Sequence, residues 1–220
     1  MLRNSILKIC SLTGLFICLI SLSAFSDEEI LFRWAFIKNK SMHQDQMLDF
    51  SSIPVVKSGD EMRIVLEPLS NAYIYLYLYD SSKNLSVIFP DNFSQFDSKD
   101  YNGNVYYIPD QGWFSLVDPT GKEHFYMLAS SLRQERLEQL TLAYKLNPNA
   151  ETRAAVLSEI KSLRKKHSKL TAEAEVGLSI AGTIKTFRGP GQNTSTADTI
   201  KPTEVRAKRF YGKTIRLKHE

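Results

Sequence analysis

Between residues 30 and 130 apolar and polar positions alternate with a period of two, and just beyond them the period lengthens to that of a helix. Ile30 to Ile37 and Glu61 to Glu67 read as strands, the second following the turn former Ser58-Gly59-Asp60 and carrying Met62, Ile64 and Leu66 on one face. The strongest alternation, Ala72 to Asp80, separates Tyr73, Tyr75, Tyr77 and Tyr79 from Ile74, Leu76 and Leu78, and two apolar faces predict a central strand. A turn over Asp80 to Asn84 leads into Leu85 to Phe89, the spacing of a hairpin. After a loop rich in Asp, Asn and Ser over residues 91–104, Val105 to Pro109 and Trp113 to Leu116 are short strands, the proline marking an edge or an end. Asp118-Pro119-Thr120-Gly121 turns the chain into a strand over Glu123 to Ala129. Short strands separated by frequent turn signals predict an antiparallel sandwich.

At Ser131 the spacing becomes helical. Ser131 with Gln134 resembles a capping box, and Leu137, Leu140 and Tyr144 fall on one face up to Asn147-Pro148-Asn149, which stops one helix and starts the next. Val156, Ile160, Leu163 and Leu170 make the stripe of the second helix, with His167 beside it. The two should form an antiparallel hairpin. Arg188 to Pro202 reads as an exposed loop, and Val205 to Leu217 as a strand returning to the sheet, where its basic residues would face acidic neighbours.

The N-terminus sets the compartment. Arg3 and Lys8 precede a mostly apolar Ile9 to Leu22, and Ala24-Phe25-Ser26 supplies small residues at the recognition positions of a cleaved signal peptide. Both cysteines, Cys10 and Cys18, lie inside it, so the exported chain has no disulfide, thiol nucleophile or thiolate ligand. The organisation expected is a signal peptide over 1–26, a β-sandwich domain over 27–131, a helical hairpin over 132–175, and a loop with a terminal strand over 176–220. Charge divides along the same line. Residues 27–131 hold 8 Lys and Arg against 15 Asp and Glu, a net of −7, while residues 132–220 hold 18 against 9, a net of +9. Two parts of one molecule docking on each other is favoured over an anionic partner, because the cations spread along the helices instead of forming one tract.

Five landmarks then resemble, in order, a bacterial family catalogued as domain of unknown function 4384: Ser58-Gly59-Asp60, Asn71 to Leu76, Val87 to Pro90, Ile108-Pro109, and Pro119 to Glu123 before a strand. Together they cover residues 30–131. The resemblance implies an exported, sandwich-like accessory module without established catalytic residues, and it leaves the helical hairpin unexplained.

Candidate chemistry is sparse. Tyr73, Tyr75, Tyr77 and Trp113 could offer rings to a sugar or a peptide strand, although aromatic residues are also what sandwich strands ordinarily carry. His43, His124, His167 and His219 are scattered without metal-ligand spacing, and Asp91, Asp97, Asp100 and Asp110 miss the calcium-loop pattern, so neither a metal nor another cofactor is expected. No Gly-x-Ser-x-Gly elbow is present and no catalytic residue is assigned. Nucleic-acid binding through Arg164-Lys165-Lys166 or Arg206 to Arg209 conflicts with export, and membrane contact is expected only through an uncleaved N-terminal segment. The expectation is therefore a non-enzymatic protein of the periplasm or cell surface. It would bind an envelope protein through its edge strands or hairpin; a carbohydrate or peptidoglycan module comes second and a hydrolase of unrecognised type third.

Overall fold

The computed structural model describes residues 29–40, 44–70, 72–176 and 202–220. In chain order these form β1 (Glu29–Lys40), β2 (Gln44–Met47), β3 (Val55–Val56), β4 (Glu61–Pro68), β5 (Tyr73–Tyr79) and β6 (Leu85–Phe89), then a short 3-10 turn at Phe93–Asp97. There follow β7 (Tyr106–Ile108), β8 (Phe114–Ser115), β9 (Gly121–Ser130), α1 (Glu135–Leu146), α2 (Ala150–Lys166), α3 (Ser168–Val176), β10 (Thr203–Lys208) and β11 (Phe210–His219). The signal segment, with Cys10 and Cys18, and most of the loop from Arg188 lie outside the described residues.

The first sheet runs β10-β1-β4-β7, with β2 also on β1 and β8 also on β4; the second runs β3-β11-β9-β5-β6. All pairs are antiparallel except β3 with β11. Period-two alternation turns Ile30, Phe32, Trp34 and Phe36 of β1 inward, each 3% exposed or less. They meet the second sheet edge to face, Phe36 on Phe125 at 5.0 Å between centroids and Phe32 on Tyr211 at 5.8 Å. The fold is thus mainly β and sandwich-like, as the strand pattern predicts. A helical layer covers the outer face of the second sheet.

Local sequence explains the helical layer. Asn149 caps α2, its side chain accepting the Glu151 and Thr152 N–H groups at 2.9 and 3.0 Å while Thr152 Oγ1 accepts the Asn149 N–H at 3.2 Å. Val156, Ile160 and Leu163 of α2 are buried, as the stripe requires. Gly212, in β11, lets the helix come this close, because a Cβ there would stand 2.9 Å from Arg164 Cγ and 3.0 Å from Phe210 Cε1.

Several expectations change. The capping box at Ser131 and Gln134 does not form: α1 begins at Glu135, and Gln134 Nε2 donates instead to Ser130 Oγ at 2.7 Å. The second helix is two, since the chain bends at His167, which stacks on Phe210 at 4.6 Å, and Leu170 belongs to α3. The terminal strand is also two. Arg209, at φ 60°, turns the chain so that β10 joins the first sheet and β11 the second. Its charges meet both signs in doing so: Arg206 pairs with Glu29 at 3.2 Å, whereas Glu204 pairs with Arg33 at 2.7 Å.

Candidate functional site

The tyrosine strand lies under the helical hairpin. Tyr75 and Tyr77 are 0% exposed. The Tyr75 hydroxyl donates to Glu138 Oε1 of α1 at 2.6 Å and accepts the Gln134 N–H at 2.9 Å, and Tyr77 shares a hydrogen bond of 3.0 Å with Thr141. Tyr73 and Tyr75 both meet Phe96 of the 3-10 turn edge to face at 5.2 Å. Arg133 then ties Glu138 to Asp97, at 2.5 and 3.1 Å. Burial drives the Tyr75 phenol far above its ordinary value, against the Gln134 N–H and reinforced by Glu138. Burial does the same for Tyr77, with Thr141 opposing and the Glu138 charge adding to it. Arg133 is held charged chiefly by its hydrogen bonds to Glu138, which outweigh desolvation.

Tyr73, Tyr75, Tyr77 and Trp113 therefore do not make one platform for a sugar. Tyr75 and Tyr77 sit between the sheet and α1, where the apolar bulk of a ring is most favourably placed, and the partly buried Tyr73 packs on the 3-10 turn. Trp113 belongs to the other sheet's outer face. There the Arg63 guanidinium lies 4.7 Å from the Trp113 ring and 5.6 Å from that of Tyr107, while Arg63 Nε donates to the Gly112 carbonyl at 3.0 Å. Ala35, Ile37 and Val65 are buried beneath this group. Beside it Arg33 bridges Glu67 at 3.1 Å and Glu204. Its guanidinium stays charged against desolvation because both carboxylates accept its hydrogen bonds.

At one end of the sandwich the fold brings together three residues far apart in sequence. Ser58 Oγ lies 2.9 Å from His219 Nε2, and His219 Nδ1 faces Glu123 Oε1 at 3.7 Å. Ser58 is exposed, while the other two side chains are buried. The order resembles that of a hydrolytic triad, but three features oppose the chemistry. The Nδ1 to Oε1 distance exceeds a hydrogen bond, and Glu123 Oε2 accepts the Ser81 N–H instead. The Ser58 and Gly59 N–H groups, the natural oxyanion donors, are committed to the carbonyls of Glu220 at 2.8 Å and Leu116 at 3.2 Å. The Asp118 carboxylate, 3.3 Å from Ser58 Oγ, would repel an oxyanion. The arrangement locks the Ser58-Gly59-Asp60 turn, with Gly59 at φ +83°, onto the end of β11. Sequence reasoning identified the turn but not its partners, because only the β3 and β9 registers on β11 place His219 and Glu123 beside it.

Among the described residues no three His, Cys, Asp or Glu side chains gather as metal ligands would. Of the acidic loop residues, Asp97 pairs with Arg133. Open surface of another kind is present. β7 is paired only to β4 and is an edge of the first sheet, where Val105 to Pro109 was expected to be one. β6, an edge of the second sheet, is interrupted by a register shift that leaves Ile88 between the partners of Leu76 and Tyr77. On α1, Leu142 and Leu146, one turn apart, are 50% and 88% exposed.

Comparison with known proteins gives one match, over residues 55–133, to the family model of a domain of unknown function (DUF4384). No curated protein and no solved structure matches the chain. The matched segment runs from β3 to the residues just before α1 and contains all five landmarks whole. Over residues 55–133 the chain is thus similar to the DUF4384 family, the one its landmarks resemble.

Proposed function

We propose that the protein is an exported, non-enzymatic accessory module that acts by binding another component of the cell envelope, in the first instance a protein. Export is supported by the N-terminal pattern ending at Ser26 and by the confinement of both cysteines to that segment. Binding is carried by one observation, the division between interior and surface. The tyrosine rings and their hydroxyls are used to bolt α1 to β5, whereas Leu142, Leu146 and the β7 edge face outward. Exposed apolar side chains on an otherwise polar helix and a short open sheet edge are the features through which accessory modules take up partners.

Photo-crosslinking in cells tests this. A crosslinking amino acid at position 142, 146 or 108 is expected to give a discrete adduct with an envelope component, and one at position 77 is expected to give none. Absence of an adduct from every surface position, or adducts only with cytosolic proteins, contradicts the proposal.

A glycan-binding reading keeps one observation in its favour, the partly exposed Trp113 and Tyr107 rings flanking Arg63. Retention on peptidoglycan that is lost in Trp113→Ala and kept in Leu142→Ser would favour it over the protein partner.

A further inference from the structure

We infer that the open end of the helical hairpin docks on an anionic phospholipid surface. Residues 161–169 contain Lys161, Arg164, Lys165, Lys166 and Lys169 and no carboxylate. Along the sequence they look like one side of a solvated helix. The fold sets them beside a second basic segment: His167 stacks on Phe210 at 4.6 Å, and Gly212 donates its N–H to Thr171 Oγ1 at 3.1 Å. The α2–α3 junction therefore lies against the β10–β11 corner, where Lys208 and Arg209 are exposed. Lys165, Lys166 and Lys169 are exposed as well.

A hydrophobic residue stands at the same place. Ser131 donates its N–H to the Arg209 carbonyl at 2.9 Å, so the segment entering α1 touches the basic corner. Its next residue, Leu132, is 66% exposed. The hairpin register agrees, because Arg136 in the first turn of α1 pairs with Glu159 at 3.1 Å and α2 continues past it toward Leu132. Among the described side chains nearby, Glu159 is committed to Arg136 and Glu138 to Arg133, and Glu135 is exposed.

Cations from three segments around an exposed leucine match a leaflet of anionic lipid. Each Lys or Arg near such a surface strengthens partitioning about fivefold, and an apolar side chain entering the interface adds a contribution that salt does not screen. The charge contribution decays over a Debye length of about 8 Å at physiological salt. This surface goes beyond the proposed function, which takes a protein at Leu142, Leu146 and β7, and rests on it only in making the leaflet one of the envelope. Vesicles test the docking, and fractionation tests the compartment, so either can fail alone.

The test uses the full chain as cells produce it, titrated against vesicles of pure phosphatidylcholine and of phosphatidylcholine with one third phosphatidylglycerol. The readout is the ratio of the two partition coefficients, compared between the parent and variants that share its N-terminus, so that any contribution of Arg3 and Lys8 is common to all. At 50 mM NaCl the ratio is expected to exceed about tenfold, and at 300 mM to approach one. Lys165→Glu/Lys166→Glu/Lys169→Glu should lower it at least tenfold, and the glutamine triple variant less steeply, with unchanged far-ultraviolet circular dichroism. Lys83→Glu/Lys99→Glu/Lys122→Glu makes the same change in net charge elsewhere and should lower it by much less. Leu132→Ser should weaken binding to both vesicles several-fold at either salt. A parental ratio in both 165/166/169 variants, an equal loss in the Lys83, Lys99 and Lys122 variant, or no preference for phosphatidylglycerol in the parent overturns the inference. An unchanged Leu132→Ser overturns the lipid assignment in favour of a soluble polyanion.

Discussion

The Tyr75 hydroxyl and the Glu138 carboxylate meet at 2.6 Å between β5 and α1, both residues buried, and this bond carries the side chain of a sandwich strand into the helical layer. The same hydroxyl accepts the Gln134 N–H at the start of α1, and Arg133 closes the arrangement on the far side of Glu138. Tyr75→Phe keeps the ring and removes all of the hydroxyl's bonds, leaving a buried carboxylate with Arg133 alone. A loss of about 1–3 kcal/mol in chemical denaturation is expected. Tyr77→Phe should cost less, about 1 kcal/mol, because Thr141 Oγ1 already donates to the Leu137 carbonyl at 2.7 Å.

Close approach of α2 to β11 makes Gly212 sensitive. In Gly212→Ala the new methyl meets Arg164 Cγ, which can swing away, but also Phe210 at 3.0 Å and Leu128 Cδ2 at 3.2 Å, which are packed. A cost of about 1–3 kcal/mol is expected, with faster amide exchange in α2 than in β1. Equal exchange in both elements would mean that the helix does not rest on this contact.

Two histidines set the acid limb of stability. Burial lowers His167, with Lys166 adding to the effect, and burial lowers His124, with Arg216 adding to it. For a depressed group the unfolded chain binds the proton first. The stabilisation is therefore complete above the ordinary histidine value of 6.5 and is lost as pH falls through the folded values. His167→Phe, which keeps a ring against Phe210, should flatten the decline in melting temperature between pH 7 and pH 5. Asp60 acts further into acid: burial would raise it, but hydrogen bonds from Lys38 and the Lys57 N–H with both lysine charges bring it below the ordinary carboxylate value. Lys38→Met should remove only the part of the loss below about pH 4.

Ser58 and His219 separate a structural from a reactive role. With the adjacent N–H groups occupied, Ser58 is expected not to label with a fluorophosphonate probe at a rate above that of free serine. His219→Gln should lower stability by about 1–3 kcal/mol, since it changes the buried neighbour of Glu123. Rapid labelling of Ser58 that is lost in His219→Gln would support a hydrolase instead.

Most strands were legible because each is short, alternating and bounded by Gly, Pro or Asp, and Asn147-Pro148-Asn149 placed the break between α1 and α2 to the residue. The tyrosine face was legible as apolar on both sides, but what covers it was not: period two cannot say whether an outward ring meets water or a helix packed from 60 residues away. The split of the terminal strand depends on one residue, Arg209, whose positive φ carries no sequence signal of the kind glycine gives. His219 and Glu123 were invisible for a related reason, since strand register, not composition, brings them to Ser58. The basic surface at the hairpin's open end likewise exists only once Leu132, residues 161–169 and the β10–β11 corner are folded together.

The proposal that the chain binds outside the cytoplasm supposes export with removal of residues 1–26. The most direct measurement is fractionation of cells producing the full sequence, with mass spectrometry of the purified protein's N-terminus. The expected result is a chain in the envelope or periplasmic fraction that begins at Asp27. A cytosolic chain that retains Met1 and the residues up to Ser26 contradicts it.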